Sequence, residues 1–116
     1  MAPGTVRPVI LLLLALQQPV RTYWPISVDS LATGHVLRTH VQTTGRVTLM
    51  RHEADGDIHL KLVGQRAFVV LEIIPGYPLK AIPTVGQRIR AYGITRWDGE
   101  HRWEELHPLE KWEPIP

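Results

Sequence analysis

The chain contains no cysteine, which excludes disulfide stapling, a thiolate nucleophile and any zinc site built on sulfur. That lack leaves the compartment open, because thiol-free chains are tolerated in cytosol and exported space alike. There is also no surplus of one charge. Thirteen Lys+Arg against 11 Asp+Glu leave a formal net charge of +2, so affinity for a phosphate backbone has to come from local clustering. The apolar run Val9 to Leu16 is about eight residues, far below the roughly 20 that span a bilayer, so no membrane span is expected. No Ser/His/Asp arrangement, Walker loop, dinucleotide fingerprint or His-Glu-x-x-His helix occurs, which sets aside nucleophilic hydrolases, nucleotidases and Rossmann enzymes.

What is present divides at about residue 34. Arg7 precedes the apolar run, and Gln17, Gln18 and Pro19 end it. Its size fits a signal-peptide core or a short docking helix. Ala15-Leu16-Gln17 is not a small-x-small cleavage pattern, which tilts the location towards the cytoplasm rather than export. Residues 19–34 read as a linker, with Tyr23 and Trp24 placed to cap the open end of the folded domain. The expected division is therefore 1–34, an apolar segment plus linker, and 35–116, the folded domain itself.

From His35 onward the pattern is that of strands. Five β-rich runs, 39–52, 57–63, 67–74, 87–97 and 102–113, are separated by turn signals. Asp55-Gly56 and Asp98-Gly99 supply the tolerance for positive φ that tight hairpins need. Residues 75–86 carry Pro75, Gly76, Pro78, Pro83 and Gly86, which makes them a long crossover rather than a helix. Long strand, hairpin, strand, hairpin, strand, crossover and terminal hairpin fit an all-β fold, a five-stranded antiparallel barrel of the oligonucleotide/oligosaccharide-binding (OB) type. Gly45 lies where the long first strand has to bend to serve both halves of such a barrel. Closure also removes the exposed edge that an open meander would leave at 69–74.

Side-chain alternation then sets register, because a slip of one residue turns every side chain to the other face. A four-residue loop at Gly64–Ala67 puts Ile58, Leu60 and Leu62 on one apolar face with Val69, Leu71 and Ile73. It sets His59 opposite Glu72, Lys61 near Val70 and Val63 near Phe68. A shorter loop would bury Glu72 unpaired among leucines, at a cost of several kcal/mol. For the last hairpin, a two-residue turn at Asp98-Gly99 predicts Ile94 opposite Trp103, Tyr92 opposite Glu105 and Arg90 opposite His107. Ile89, Ala91 and Leu106 then face inward. The fifth strand of an OB barrel lies beside the third, so this polar face would adjoin His59 and Glu72.

The string Glu53-Ala54-Asp55-Gly56-Asp57-Ile58-His59-Leu60, then Glu72-Ile73-Ile74-Pro75, then Gly93 to Asp98 followed by His101 and Glu105-Leu106-His107-Pro108, resembles a group of small bacterial OB-like proteins, many of them exported. The resemblance covers about 60 to 70 residues, roughly one small domain. It implies a barrel fold and brings no assigned activity. The N-terminus departs from the exported members in its short run and poor cleavage site.

Two chemistries compete for the polar residues. His59, Glu72, Glu105 and His107 are the ligand types that zinc or a similar divalent metal takes, and a bound metal could activate water for hydrolysis. The plainer account is a surface ladder in which Glu72 pairs His59, and Glu105 pairs Tyr92 or Arg90. Separately, Arg46, Lys61, Arg88, Arg90 and Arg96, with Tyr92, Trp97 and Trp103, mix positive charge with flat rings, the combination that holds single-stranded nucleic acid or another anionic ligand. Trp97 flanks an exposed turn and is the stacking candidate, or else a hydrophobic cap for its hairpin. His35, His40 and His52 read as solvated. Asp55 and Asp57 read as turn residues, Asp57 also standing behind His59, and Trp112 as packing on the barrel bottom. Taken together the sequence points to a non-catalytic OB binding module for single-stranded nucleic acid or another anionic ligand. A metal-dependent hydrolase is the alternative and a structural or protein-docking domain the third. Substrate and oligomeric state are not encoded in any motif.

Overall fold

Local alternation builds most of the sheet. The computed structural model describes residues 21–116, and the apolar run 9–16, with its export or docking role, lies outside the described residues. The elements are β1 (Trp24–Pro25), α1 (Val28–Leu31), β2 (His40–His52), β3 (Ile58–Val63), β4 (Phe68–Ile73), β5 (Arg88–Asp98) and β6 (Trp103–Pro114). The sheet runs β1-β2-β3-β4-β6-β5 and closes through β2 and β5, giving the five-stranded OB-type barrel expected from the strand order. Inward residues Val41, Val47, Leu60, Leu62, Val69, Leu71, Ile89, Ala91, Leu106 and Leu109 are buried in one core. Each buried aliphatic side chain of leucine size contributes about 1.5–3 kcal/mol. No helix among the described residues is long and apolar enough to cross a membrane.

The β3–β4 hairpin has the expected register, with His59 opposite Glu72, Lys61 opposite Val70 and Val63 opposite Phe68. The bend in β2 is also where expected. This strand pairs with β5 through His40–Arg46 and with β3 through Arg46–His52. A Cβ at Gly45 would lie 2.6 Å from the Val63 carbonyl oxygen, so only glycine lets β2 turn this close to β3. The crossover 75–86 is irregular, and Trp112 Nε1 donates to the Ala81 carbonyl at 2.8 Å.

Two expectations need correction. The β5–β6 turn is longer than two residues: Asp98 pairs with Trp103, Trp97 with Glu104 and Arg96 with Glu105. Asp98 Oδ1 accepts from the Glu100 and His101 amides at 3.0 and 3.1 Å, the Arg102 amide donates to the Asp98 carbonyl at 2.7 Å, and Arg102 takes φ 59°. The ladder is irregular again at Gly93, where a Cβ would sit 2.5 Å from the Pro108 carbonyl oxygen. Tyr92 therefore faces Lys111 and Arg90 faces Glu113, so the Tyr92–Glu105 and Arg90–His107 pairings do not form.

The second correction concerns the expected linker. β1 pairs in parallel with β2, Trp24 beside Val41 and Pro25 beside Gln42. Ser27 caps α1 by accepting from the Ser30 amide, and Val28 and Leu31 are buried in the barrel core. Asp29 Oδ1 accepts from the Arg66 and Ala67 amides at 3.1 Å, tying this turn of helix to the β3–β4 loop. One helical turn is too short to leave a periodic apolar stripe. Trp24 is exposed rather than capping the barrel, whereas Tyr23 packs edge-on to Tyr92 at 5.2 Å and its hydroxyl donates to Glu110 at 3.1 Å.

Candidate ligand site on the outer face of β3 and β4

Outward positions of the regular hairpin carry His59 and Glu72, and β6 runs parallel to β4 with Val70 beside Glu105 and Leu71 beside Leu106. This places His107 against Glu72. The Glu72 side chain is only 8% exposed. One of its oxygens lies 2.7 Å from His59 Nε2, and the other meets His107 Nδ1. The far nitrogen of His59, Nδ1, lies 3.5 Å from Glu53 Oε1 in the β2–β3 loop. A buried carboxylate is tolerated only with such partners, since an unpaired one costs several kcal/mol.

Beside this cluster, Trp103 Nε1 donates to Glu105 Oε2 at 2.8 Å. Burial pushes the Glu105 carboxyl up to about 7, the Trp103 hydrogen bond opposes that rise, and the charges of Glu72 and Asp98 add to it. The His101 hydrogen bond holds Asp98 down to about 2. His101 stacks on Trp103, centroids 4.4 Å apart, and Phe68 meets the same indole edge-on at 6.2 Å with Lys61 Nζ 4.3 Å above its own ring. Asp57 is raised from the usual carboxylate range by burial first and then by Asp55 and Glu72. Asp57, Lys61, Phe68, Asp98, His101 and Trp103, but not Glu105, border a groove of about 700 Å³ that runs from the Glu53–Asp57 loop across β3 and β4 to the β5–β6 turn.

Of the proposed metal ligands, the structure brings all four to one neighbourhood as two donor sets that share Glu72. Asp57, His59 and Glu72 form one, and Glu72, Glu105 and His107 the other, with donor atoms in each within 4.8 Å of one another. Sequence reasoning assigns Asp57 to turn chemistry and to a place behind His59. Its spacing of two residues from His59 at the start of a strand is the signal that puts both on one face.

The proposed nucleic-acid residues are split. Lys61 and Trp103 line the groove just described. Arg46, Arg88 and Arg90 line a second groove of about 810 Å³ between β2, β5 and α1, where Arg46 donates to the Gly86 carbonyl and Arg90 pairs with Glu113, each at 2.8 Å. The Tyr92 hydroxyl donates to the same Glu113 carboxylate at 2.9 Å. Arg96 is exposed across from Glu105. Trp97 is 46% exposed with its ring against Gly34, where a Cβ would meet it at 2.8 Å.

No family model matches the chain. No curated protein matches it either. Solved structures do. The hypothetical protein ygiW from E. coli superposes with a TM-score of 0.59 at 12% identity over 84% of this chain and 100% of its own. The barrel is an OB fold. A Leishmania major chain assigned as an aspartyl-tRNA synthetase contains a similar unit, TM-score 0.62 at 12% identity over 85% of this chain, which spans only 22% of the synthetase. At that identity the likeness concerns the fold.

Proposed function

We propose that the protein is a non-catalytic binding module that takes its ligand on the outer face of β3 and β4. The observation that carries this is the position of the 700 Å³ groove. It covers the second and third barrel strands and is flanked by the first-to-second and fourth-to-fifth strand loops, the surfaces by which OB barrels hold oligonucleotides and oligosaccharides. The lining favours one ligand type. Carboxylates of Glu53, Asp55, Asp57, Glu72 and Asp98 outnumber the permanent cations Arg51 and Lys61, which repels a bare polyanion, and the loop carboxylates Glu53 and Asp55 are placed to accept hydrogen bonds from hydroxyls. Phe68 and Trp103 add apolar ring surface. A short neutral oligosaccharide meets these demands.

Single-stranded nucleic acid is the second reading, supported by Lys61 and Trp103 in the groove and by the arginines of the other one. Amide chemical-shift titration separates the two. Neutral oligosaccharides are expected to move resonances at Lys61, Phe68 and Trp103, with little salt dependence, and Trp103→Ala to abolish the effect. Binding of an oligonucleotide that weakens steeply with salt and maps to Arg46 and Arg90 would transfer the ligand face to the second groove. Including a phosphodiester in the titration and assaying its cleavage tests the hydrolase alternative.

A further inference from the structure

We infer that Asp57, His59 and Glu72 form a binding site for one divalent transition metal whose open coordination position faces the groove. The inference deepens the binding-module reading and rests on it for the role of that open position. All three side chains border the groove, and their donor atoms lie within 4.8 Å of one another. One imidazole and two carboxylates suit zinc-class ions, while the nitrogen donor disfavours magnesium and calcium, which take oxygen. Three protein ligands with a vacant fourth position is the pattern of zinc sites that engage a ligand.

The surroundings orient each donor. His59 directs Nε2 towards Glu72 at 2.7 Å, and Glu53 Oε1 stands 3.5 Å from Nδ1, on the side of the ring where metal-bound histidines take the carboxylate hydrogen bond that fixes their tautomer. His107 occupies the second oxygen of Glu72, leaving the first for the ion. Metal bonds of about 2.0–2.2 Å place neighbouring donors roughly 3.3 Å apart in a tetrahedral site. The 2.7 Å contact therefore opens by about half an ångström, a small side-chain rotation. The second donor set is less suited: Glu105 already accepts from Trp103, and neither Glu105 nor His107 borders the groove.

The test uses the full chain, stripped with chelator and titrated with Zn²⁺ by calorimetry, then with Co²⁺ by visible absorption. One zinc per chain is expected, with cobalt d–d bands, and magnesium should not compete. Asp57→Asn and His59→Ala should each weaken zinc by more than about tenfold. Glu53→Gln should weaken it about tenfold and move the cobalt bands, the size of effect supporting partners have on metal sites. His35→Ala, an exposed histidine elsewhere, should change neither. Folding of every variant is checked by its amide spectrum. A folded wild-type chain that binds no zinc, or zinc binding that survives both Asp57→Asn and His59→Ala, overturns the site. Oligosaccharide titrations with and without zinc separate the two readings: groove shifts in a chain that takes no metal keep the module and remove the site, whereas bound zinc with silent groove resonances keeps the site and removes the module.

Discussion

The two hairpins of the barrel solve different problems. β3–β4 is an unbroken antiparallel ladder, with buried leucines and valines inside and a paired histidine and glutamate outside. β5–β6 is irregular on both sides of Gly93, and its strands also pair outward, β5 with β2 and β6 with β4. It closes the cylinder, and it holds Glu104, Glu105 and Glu110 as buried acids. The difference teaches that a regular ladder can present a site with fixed geometry, while the strand pair that completes the barrel takes up the distortion.

The sharpest way to break the contrast is at Gly93. Gly93→Val drives a side chain into the Pro108 carbonyl, 2.5 Å from the first added atom, and should cost about 3 kcal/mol or more by urea denaturation. Glu104 comes next. It is 1% exposed, its Oε2 has no hydrogen-bond partner, and burial pushes its carboxyl up to about 7. Because the folded state holds the proton more tightly than the unfolded chain, stability is full below pH ~4.5 and falls as pH rises towards 7, by a loss on the order of 2–3 kcal/mol. Glu104→Gln should be the more stable protein at about pH 8 and lose that advantage at about pH 4.5, as followed by urea midpoints at each pH. In the regular hairpin, Glu72→Ala strips the partner from two imidazoles and should cost about 1–3 kcal/mol. Weakest of all, Glu113→Ala removes an exposed contact to Arg90 and should leave the urea midpoint unchanged within error.

The same contrast explains how much could be read from residues alone. Strand number, the bend at Gly45 and the β3–β4 register follow from alternation and local turn chemistry, because a slip would have buried Glu72 unpaired. The β5–β6 register does not, since it depends on how Asp98 caps its loop and on how closely Gly93 approaches Pro108, both set by closure of the whole sheet. The His59–Glu72 pair was legible for the first reason. His107 reaches Glu72 through the parallel β4–β6 contact, although its expected partner on β5 lies elsewhere. Asp57 was hidden because a turn already explained it, and α1 because one helical turn carries too little periodicity.

The short strand at Trp24–Pro25 occupies the stretch of β2 beyond the reach of β3, hydrogen-bonding beside Val41 and Gln42. A fragment beginning after Ile26 would bare those backbone groups as an adhesive rim. Such a fragment is expected to self-associate, with a neighbouring molecule supplying the missing strand, and gel filtration at rising concentration would reveal it.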